Sequence, residues 1–118
     1  MSKGRYRIAE QVQNYGIYGE LGLICELTDD TDKIDIILSN DLEKWKPGIL
    51  FGATYFLENV ILDKGLSITL DEINFNEVDT NNTVIAFLTV HALIEATGIK
   101  IKTAPFFDIA TMGFIFPK

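Results

Sequence analysis

Cysteine is almost absent from this chain of 118 residues, in which Cys25 is the single example. One thiol can form neither an intramolecular disulfide nor a metal cluster built from thiolates. Cys25 stands in an apolar run with Leu23, Ile24 and Leu27, so we expect a packed thiol of low reactivity. Stability must therefore come from a hydrophobic core, for which a single domain of residues 1–118 is long enough.

Basic residues are also scarce: ten Lys and Arg stand against 17 Asp and Glu, and the net charge is −7. Because binding to nucleic-acid phosphates needs a concentration of basic residues, we expect no nucleic-acid partner. No apolar run reaches the ~20 residues of a membrane span, and the first residues do not resemble a signal peptide. We expect a cytoplasmic protein that binds another protein, and its acidic surface favours a basic partner. We expect a monomer, or a weak homodimer through a free edge of the sheet.

Recognisable catalytic motifs are missing. His91 is the only histidine, it falls among apolar residues of a predicted helix, and no Ser or Cys stands in a nucleophile motif. Glu95 is in reach of His91 on a helix, but such a pair is usually structural. Gly16, Gly19 and Gly22 lack the Gly-Lys-Ser/Thr of a phosphate loop, and their spacing favours bulges or a close backbone approach. We expect no catalytic residue, no cofactor and no metal ion.

The densest acidic cluster is formed by Asp29, Asp30, Asp32 and Asp35. The cluster does not match the calcium-binding loop of an EF-hand. Ile34 stands where that loop needs an oxygen ligand, and no Glu occupies its last position. A solvated hairpin turn, an acidic patch that contacts a basic protein, and another kind of metal site are the three interpretations. We take the four aspartates as the candidate partner-binding residues.

A second acidic group consists of Asp71, Glu72, Glu77 and Asp79. Asp79 is best explained as a helix cap, since a helical pattern begins directly after it. The group therefore predicts a helix boundary and not a separate site.

Hydrophobic periodicity predicts four long strands, one short strand and two helices. The first three strands are expected to form an antiparallel meander, and the fourth to contain a bulge at Asp71-Glu72, where its alternation changes phase. Pro47 is expected in the first turn of the first helix, and Gly65 at its end. The predicted strands cover residues 5–13, 17–27, 33–39, 66–78 and 99–101, and the first helix covers residues 47–62.

The second helix has the strongest signal. Asp79 or Thr80 can cap its first turn, and Gly98 stands where a left-handed residue ends a helix. Because its polar face is thin, we expect burial over much of its circumference, with Phe87 and Leu88 in the core. The apolar tail over residues 104–117 must also be packed, and we expect it on the sheet of the same chain.

The element order βββ-α-β-α predicts an α/β (α+β) two-layer sandwich. In this fold class a four-stranded sheet is covered by two helices on one face. Here a C-terminal apolar segment is added.

Residues 65–98, about a third of the chain, carry a further pattern of glycine, strand, Val-Asp step and helix. The residues that carry it are Gly65, Val78-Asp79, Ala86-Phe87, Ala92 and Glu95-Ala96. The pattern resembles domain IV of translation elongation factor G, and the element order resembles the ribosomal protein S5 domain 2-like fold. The resemblance implies a left-handed βαβ crossover, an exception to the usual handedness, and a link to the ribosome. The acidic charge departs from that family, whose domain IV meets RNA.

The leading functional hypothesis is a non-catalytic acidic binding protein that acts through its surface. An inhibitor or immunity-type protein that masks a basic partner is its concrete form. The resemblance implies the alternative of a translation- or ribosome-associated accessory domain. An enzyme with an unrecognised site is the third hypothesis.

Overall fold

The computed structural model describes residues 2–12, 15–60, 63–111 and 113–117. A four-stranded sheet carries two α-helices on one face, which confirms the predicted two-layer sandwich. Among the described helices, none combines the length and the apolar character needed to cross a membrane. The elements are β1 (Ser2–Val12), β2 (Tyr15–Thr28), β3 (Ile34–Ile37), a 3-10 helix (Asn40–Trp45), α1 (Lys46–Glu58), β4 (Gly65–Asn74), α2 (Asn82–Thr97), β5 (Phe106–Asp108) and β6 (Gly113–Ile115).

The strand order in the sheet is β1-β2-β4-β3, so the predicted antiparallel three-strand meander is wrong. β1 and β2 form an antiparallel hairpin, but β2 pairs next with β4, and β3 lies parallel to β4 at the far edge. The ladder between β2 and β4 runs from the pair Thr28–Gly65 to the pair Glu20–Asn74. β3 has four residues, so it could not form a ladder of this length with β2. The chain crosses through α1 between β3 and β4, so these two strands run in the same direction.

The predicted bulge in β4 is confirmed at Asp71. Gly22 lies opposite Glu72 and Leu23 lies opposite Leu70, so Asp71 is the additional residue. The bulge changes the phase of the alternation and returns apolar side chains to the helix-covered face in the second half of the strand.

α2 is buried over most of its circumference. All residues from 84 to 90 are buried, which confirms Phe87 and Leu88 as core residues. Thr89 is polar and fully buried, and its hydroxyl donates a hydrogen bond to Ile85 O at 2.8 Å. The donor of Thr89 is therefore satisfied inside the helix and needs no partner elsewhere.

Two glycines of α1 set the distance between α1 and α2. A Cβ atom at Gly48 would lie 2.5 Å from Asn82 O, and one at Gly52 would lie 2.6 Å from Ala86 O. Both oxygens belong to the main chain of α2, which cannot move aside as a flexible side chain could. The two helices can pack at this distance only because neither position carries a side chain.

The ends of α2 are partly as predicted. Gly98 has a φ of 71° and confirms the predicted left-handed residue at the C-terminal end. At the other end, Asn81 is the cap, because its side-chain oxygen accepts a hydrogen bond from Val84 N at 3.0 Å. The predicted caps Asp79 and Thr80 are therefore wrong.

The segment between β4 and α2 is hydrogen-bonded to β2. These bonds explain why the N-cap of α2 is Asn81 and not Asp79 or Thr80. β4 ends before the predicted Val78, which is 90% exposed. Tyr18 N donates a hydrogen bond to Asp79 O at 3.1 Å, and Thr80 Oγ1 donates one to Tyr18 O at 2.6 Å. Asp79 and Thr80 thus bridge to a neighbouring strand, and Asn81 is the next polar residue that can cap the helix.

α1 ends at Glu58, before the predicted end at residue 62, and residues 61 and 62 lie outside the described part of the chain. Gly65 is the first residue of β4 and not a helix cap, which corrects the prediction. A Cβ atom at Gly65 would lie 2.2 Å from Asp30 O and 2.5 Å from Lys33 O. Glycine is needed there because the turn after β2 packs directly on the start of β4.

The C-terminal segment packs within the chain, but on the helices and not on the sheet as predicted. β5 and β6 form a separate antiparallel hairpin. The ring of Phe114 lies 4.8 Å from that of Phe87 on α2, and the ring of Phe116 lies 5.4 Å from that of Phe51 on α1. The hairpin thereby covers apolar side chains that the two helices turn away from the sheet.

Tyr55 joins the same segment to α1. Its hydroxyl lies 2.5 Å from Thr103 O and within hydrogen-bonding reach of Pro117 O, and its one proton can be donated to either oxygen. Ile101 is buried against Tyr55. The predicted strand over residues 99–101 is wrong, since this stretch is irregular and buries its apolar side chain against a helix.

Candidate protein-binding surface

Two loops at one end of the sandwich form the candidate surface. The loop between β2 and β3 carries Asp29, Asp30 and Asp32, and it packs on the loop between α1 and β4. Asp32 N donates a hydrogen bond to Lys64 O at 3.3 Å, and Lys33 N donates one to Asp30 O at 3.0 Å. Asp32 has a φ of 63°, a left-handed conformation that short polar residues adopt more readily than most. The main chain beneath the aspartates is therefore well defined.

The structure brings the four predicted aspartates to this end of the molecule. Three lie in the turn, and Asp35 follows on β3, exposed on the sheet face that the helices leave open. Asp35 lies opposite Ser67 of β4, and Ser67 lies opposite Glu26 of β2. From the spacing of strands, Glu26 and Asp35 are about 10 Å apart. We name this surface the acidic end and define it by Glu26, Asp29, Asp30, Asp32, Asp35 and Asp63.

Lys64 compensates part of this charge. Its Nζ donates a hydrogen bond to Asp29 Oδ1 at 2.5 Å, and this bond together with the positive charge holds the pKa of Asp29 below its ordinary value. Asp30, Asp32 and Asp35 form no ion pair with the residues that the structure describes. These three carboxylates are exposed, and their charge is available to a partner.

Both helices direct their C-terminal ends toward this side of the sandwich. α1 ends at Glu58, directly before the loop that leads to β4, and the C-terminal half of α2 packs on Gly4 near the start of β1. Gly4 pairs with Leu23 in the second half of β2, so both helices run in the direction of the acidic turn. The C-terminus of a helix carries a partial negative charge of about half an elementary charge.

The second acidic group has a different role. On the open face of the sheet, Arg5 Nη2 lies 2.9 Å from Glu72 Oε2, and Nη1 lies 3.4 Å from Glu20 Oε2. The hydrogen bond from Arg5 is the main cause of the lowered pKa of Glu72. Glu77 pairs with Lys44 at 3.0 Å, away from this cluster. Most of this group is neutralised within the chain, so it offers little free charge to a partner.

His91 has a structural environment. Its Nε2 lies 2.7 Å from Pro105 O, and its ring stacks on Tyr6 with centroids 4.5 Å apart. Glu95 is exposed and makes no hydrogen bond with His91 in the described residues. The arrangement joins α2, β1 and the C-terminal segment, and it places neither a nucleophile nor an acid beside the imidazole.

Cys25 is 3% exposed within the core, which confirms the predicted packed thiol. Burial raises the pKa of this thiol and disfavours the reactive thiolate. Across the described ranges, no three His, Cys, Asp or Glu side chains are arranged to hold a metal ion. The acidic end therefore offers charge without a coordination geometry.

Two surface features were not identified from the sequence. An apolar groove of about 360 Å³ lies between the first turns of α1 and α2, with Phe51, Phe114 and Phe116 among its walls. A second groove, of about 490 Å³, lies between β1 and the C-terminal segment. Both depend on where the hairpin of β5 and β6 docks, and no local pattern carries that information.

Comparison with known proteins identifies the fold only. No protein-family profile matches the chain, and no curated protein matches it in sequence. Among solved structures, a protein from Thermus thermophilus has a similar fold, with a TM-score of 0.67 and 16% sequence identity. The similarity covers 82% of this chain and 16% of the Thermus chain. The chain thus corresponds to a small part of a much longer protein, and at this identity the likeness extends to the fold and not to the activity.

Proposed function

We propose that this domain is a non-catalytic binding protein whose acidic end receives the basic surface of a protein partner. The observation that carries the proposal is the concentration of exposed carboxylates on two loops and the strands that adjoin them. Among the described residues, Lys64 pairs with Asp29 and leaves Asp30, Asp32 and Asp35 without an ion pair. An inhibitor or immunity-type protein, which masks a basic surface of its target, is the concrete form of this function.

The geometry of the acidic end suits electrostatic association. Asp30, Asp32 and Asp35 stand on a main chain that hydrogen bonds and strand pairing already fix, so little order has to be gained on binding. Their negative potential adds to that of the helix ends and attracts a basic partner before contact. The association rate should therefore be high at low salt and fall steeply as salt is added.

A second candidate function follows from the fold. We propose that the domain has the ribosomal protein S5 domain 2-like fold and is related to domain IV of translation elongation factor G. The βββ-α-β-α order and the parallel pairing of β3 and β4 around α1 support this relation. The corresponding function is that of a translation- or ribosome-associated accessory domain, and it requires contact with RNA or with a ribosomal protein.

An NMR titration of the ¹⁵N-labelled domain tests the first proposal. The probe is a lysine homopeptide of about twelve residues, added at low and at physiological salt. A triple variant, Asp30→Asn, Asp32→Asn and Asp35→Asn, removes three charges from the acidic end. A control variant, Glu10→Gln, Asp41→Asn and Glu95→Gln, removes three charges from exposed positions elsewhere that form no ion pair with described residues. Both variants change the net charge equally, so any difference between them reports position.

We expect the amide shifts to concentrate in residues 26–35 and 63–67 and to weaken in the acidic-end variant but not in the control. Shifts spread evenly over the surface, or equal losses in both variants, would contradict the proposal. Saturable binding of a labelled RNA oligonucleotide at physiological salt would instead favour the translation-associated function, because an acidic surface should repel phosphate.

A further inference from the structure

The free edge of β1 borders a groove that has no occupant within the described residues. Among the described strands, β1 has a neighbour on one side only, because it stands first in the sheet. The groove of about 490 Å³ is lined by residues 6–10 of β1 and residues 105–107 of the C-terminal segment, with Phe87 and His91 of α2 at its base. The contact of 2.7 Å between His91 Nε2 and Pro105 O holds α2 and the C-terminal segment together.

We propose that this groove binds an extended segment of a partner protein, which pairs with β1 as a fifth strand of the sheet and alternates acidic with apolar residues. Main-chain hydrogen bonds to the strand edge would provide affinity, and the two faces of the added strand would provide specificity. The site lies on β1 and does not involve the acidic end, so it does not depend on the function proposed above.

The preference for apolar residues in the bound strand comes from the side chains on the helix-facing side of β1. Tyr6 faces α2, where its ring packs edge-on against Phe87 at 5.8 Å, and Ile8 is buried in the core. Phe106 and Phe107 stand on the opposite side of the groove, and Phe106 is 49% exposed. Every second residue of a strand added here would point at these side chains, and an apolar residue fits such a surface.

The preference for acidic residues in the bound strand comes from basic side chains on the outer face of β1. Lys3, Arg5 and Arg7 alternate along it and are exposed. Arg5 is held by Glu72 and Glu20, but Lys3 and Arg7 form no ion pair with described residues. Opposite charges on directly facing residues of neighbouring strands stabilise the pairing, so acidic residues are favoured opposite these two positions.

The same charges argue against a second copy of this chain as the occupant. If two β1 strands paired antiparallel about a two-fold axis at Arg5, Tyr6 or Arg7, basic residues of one copy would face basic residues of the other. Like charges directly opposite each other destabilise a strand pair. Charged residues on edge strands commonly prevent self-association in this way, while an edge with basic residues stays open to an acidic strand.

A short peptide tests the proposal directly. The probe is a fluorescein-labelled heptapeptide that alternates glutamate with valine, and its binding to the full chain is followed by fluorescence anisotropy. One control peptide has lysine in place of glutamate. A second control carries N-methyl groups on alternate residues, which removes the donors for strand pairing and leaves the side chains in place.

We expect saturable binding of the glutamate–valine peptide and amide shifts at residues 6–10 and 105–107. The N-methylated and lysine peptides should each bind at least tenfold more weakly. Arg7→Glu should weaken the glutamate peptide by at least tenfold and strengthen the lysine peptide. Lys33→Glu, which makes the same charge change beside the other edge strand, should alter neither. The opposite response to the two peptides cannot result from unfolding, since an unfolded variant would lose both.

Absence of saturable binding by the wild-type chain would overturn the proposal. Equal binding of the N-methylated peptide would show that the main chain is not used and would overturn it as well. Self-association of the chain that Arg7→Glu alters would assign the edge to a second copy and exclude the partner segment.

Discussion

At the scale of single residues, the core of α2 is the most sensitive part of the fold. Leu88 is fully buried and lies against the space that Gly19 of β2 leaves open. We predict that Leu88→Ala lowers the free energy of unfolding by ~2–5 kcal/mol, because the cavity cannot collapse between packed layers. Phe87→Ala should cost a similar amount. Urea denaturation measures both.

Val78→Ala is the matched control, because Val78 is 90% exposed. Its effect should stay within about 0.5 kcal/mol. A Phe87→Ala protein as stable as this control would mean that α2 is not central to the fold.

The Asp29–Lys64 pair gives a prediction about pH. Lys64 lowers the pKa of Asp29, so the pair stabilises the fold above pH 3.8, the ordinary pKa of the residue, and this stabilisation is lost as the pH falls through the lowered value. Lys64→Gln should raise the pKa of Asp29 toward 3.8. Lys33→Gln, which removes a positive charge from the same loop as Asp29, should leave the pKa of Asp29 unchanged. An NMR titration of the side-chain carboxyl carbon of Asp29 measures this pKa in both variants. An unshifted pKa in Lys64→Gln would disprove the pairing in solution.

Residue roles were predictable where the cause is local. Gly98 could be assigned because a helix end with a left-handed residue depends on its own neighbours. Asn81 was missed because Asp79 and Thr80 are equally good caps by composition, and only their bridge to Tyr18 of β2 excludes them. Gly65 was misread for the same reason, since the atoms that require a glycine there belong to Asp30 and Lys33.

At the scale of elements, the contact between α1 and α2 depends on two positions without side chains. Gly52→Ala would normally favour a helix by about 1 kcal/mol. Here we predict a lower melting temperature, because the new Cβ would lie 2.6 Å from Ala86 O. Thr54→Ala, two residues later on the same helix, should not lower it. Thermal denaturation distinguishes the two outcomes, and a stabilised Gly52→Ala variant would show that the helices are not in close contact.

Strands were easier to predict than their partners. The apolar run in residues 33–39 indicated β3, but nothing in it specifies a parallel neighbour, since pairing depends on the crossover through α1. The bulge at Asp71 was predictable because a phase change in the apolar pattern is local. The docking of the C-terminal hairpin was not, because an apolar segment fits any uncovered apolar surface.

The hairpin of β5 and β6 also gives a prediction for a whole element. Deleting residues 104–118 would uncover Phe51, Tyr55 and Phe87 on the helix layer. We expect an aggregating or unfolded product, because an apolar surface of this kind drives association. Ile109→Ser, at a position 57% exposed in the same segment, should leave the fold unchanged. Sedimentation velocity and circular dichroism are the measurements. A truncated chain that stays monomeric and folds cooperatively would show that the segment is an appendage.

At the scale of the whole molecule, charge distribution carries more information than net charge. The sequence showed a net charge of −7 and identified the cluster at Asp29, Asp30, Asp32 and Asp35. It did not show that Glu26 and Asp63 adjoin them, nor that Arg5 neutralises the other acidic group. These facts depend on cross-strand neighbours, and they separate a surface with free charge from one that is compensated within the chain.

Differential affinity capture tests whether the acidic end binds a basic protein. Three baits are immobilised: the wild-type domain, the acidic-end variant at Asp30, Asp32 and Asp35, and the control variant at Glu10, Asp41 and Glu95. Each bait is exposed to the same extract at physiological salt, and the retained proteins are quantified by mass spectrometry. We expect a basic protein that the wild-type and control baits retain and the acidic-end variant loses. Retention of the same proteins by all three baits, or of none by the wild type, would contradict it.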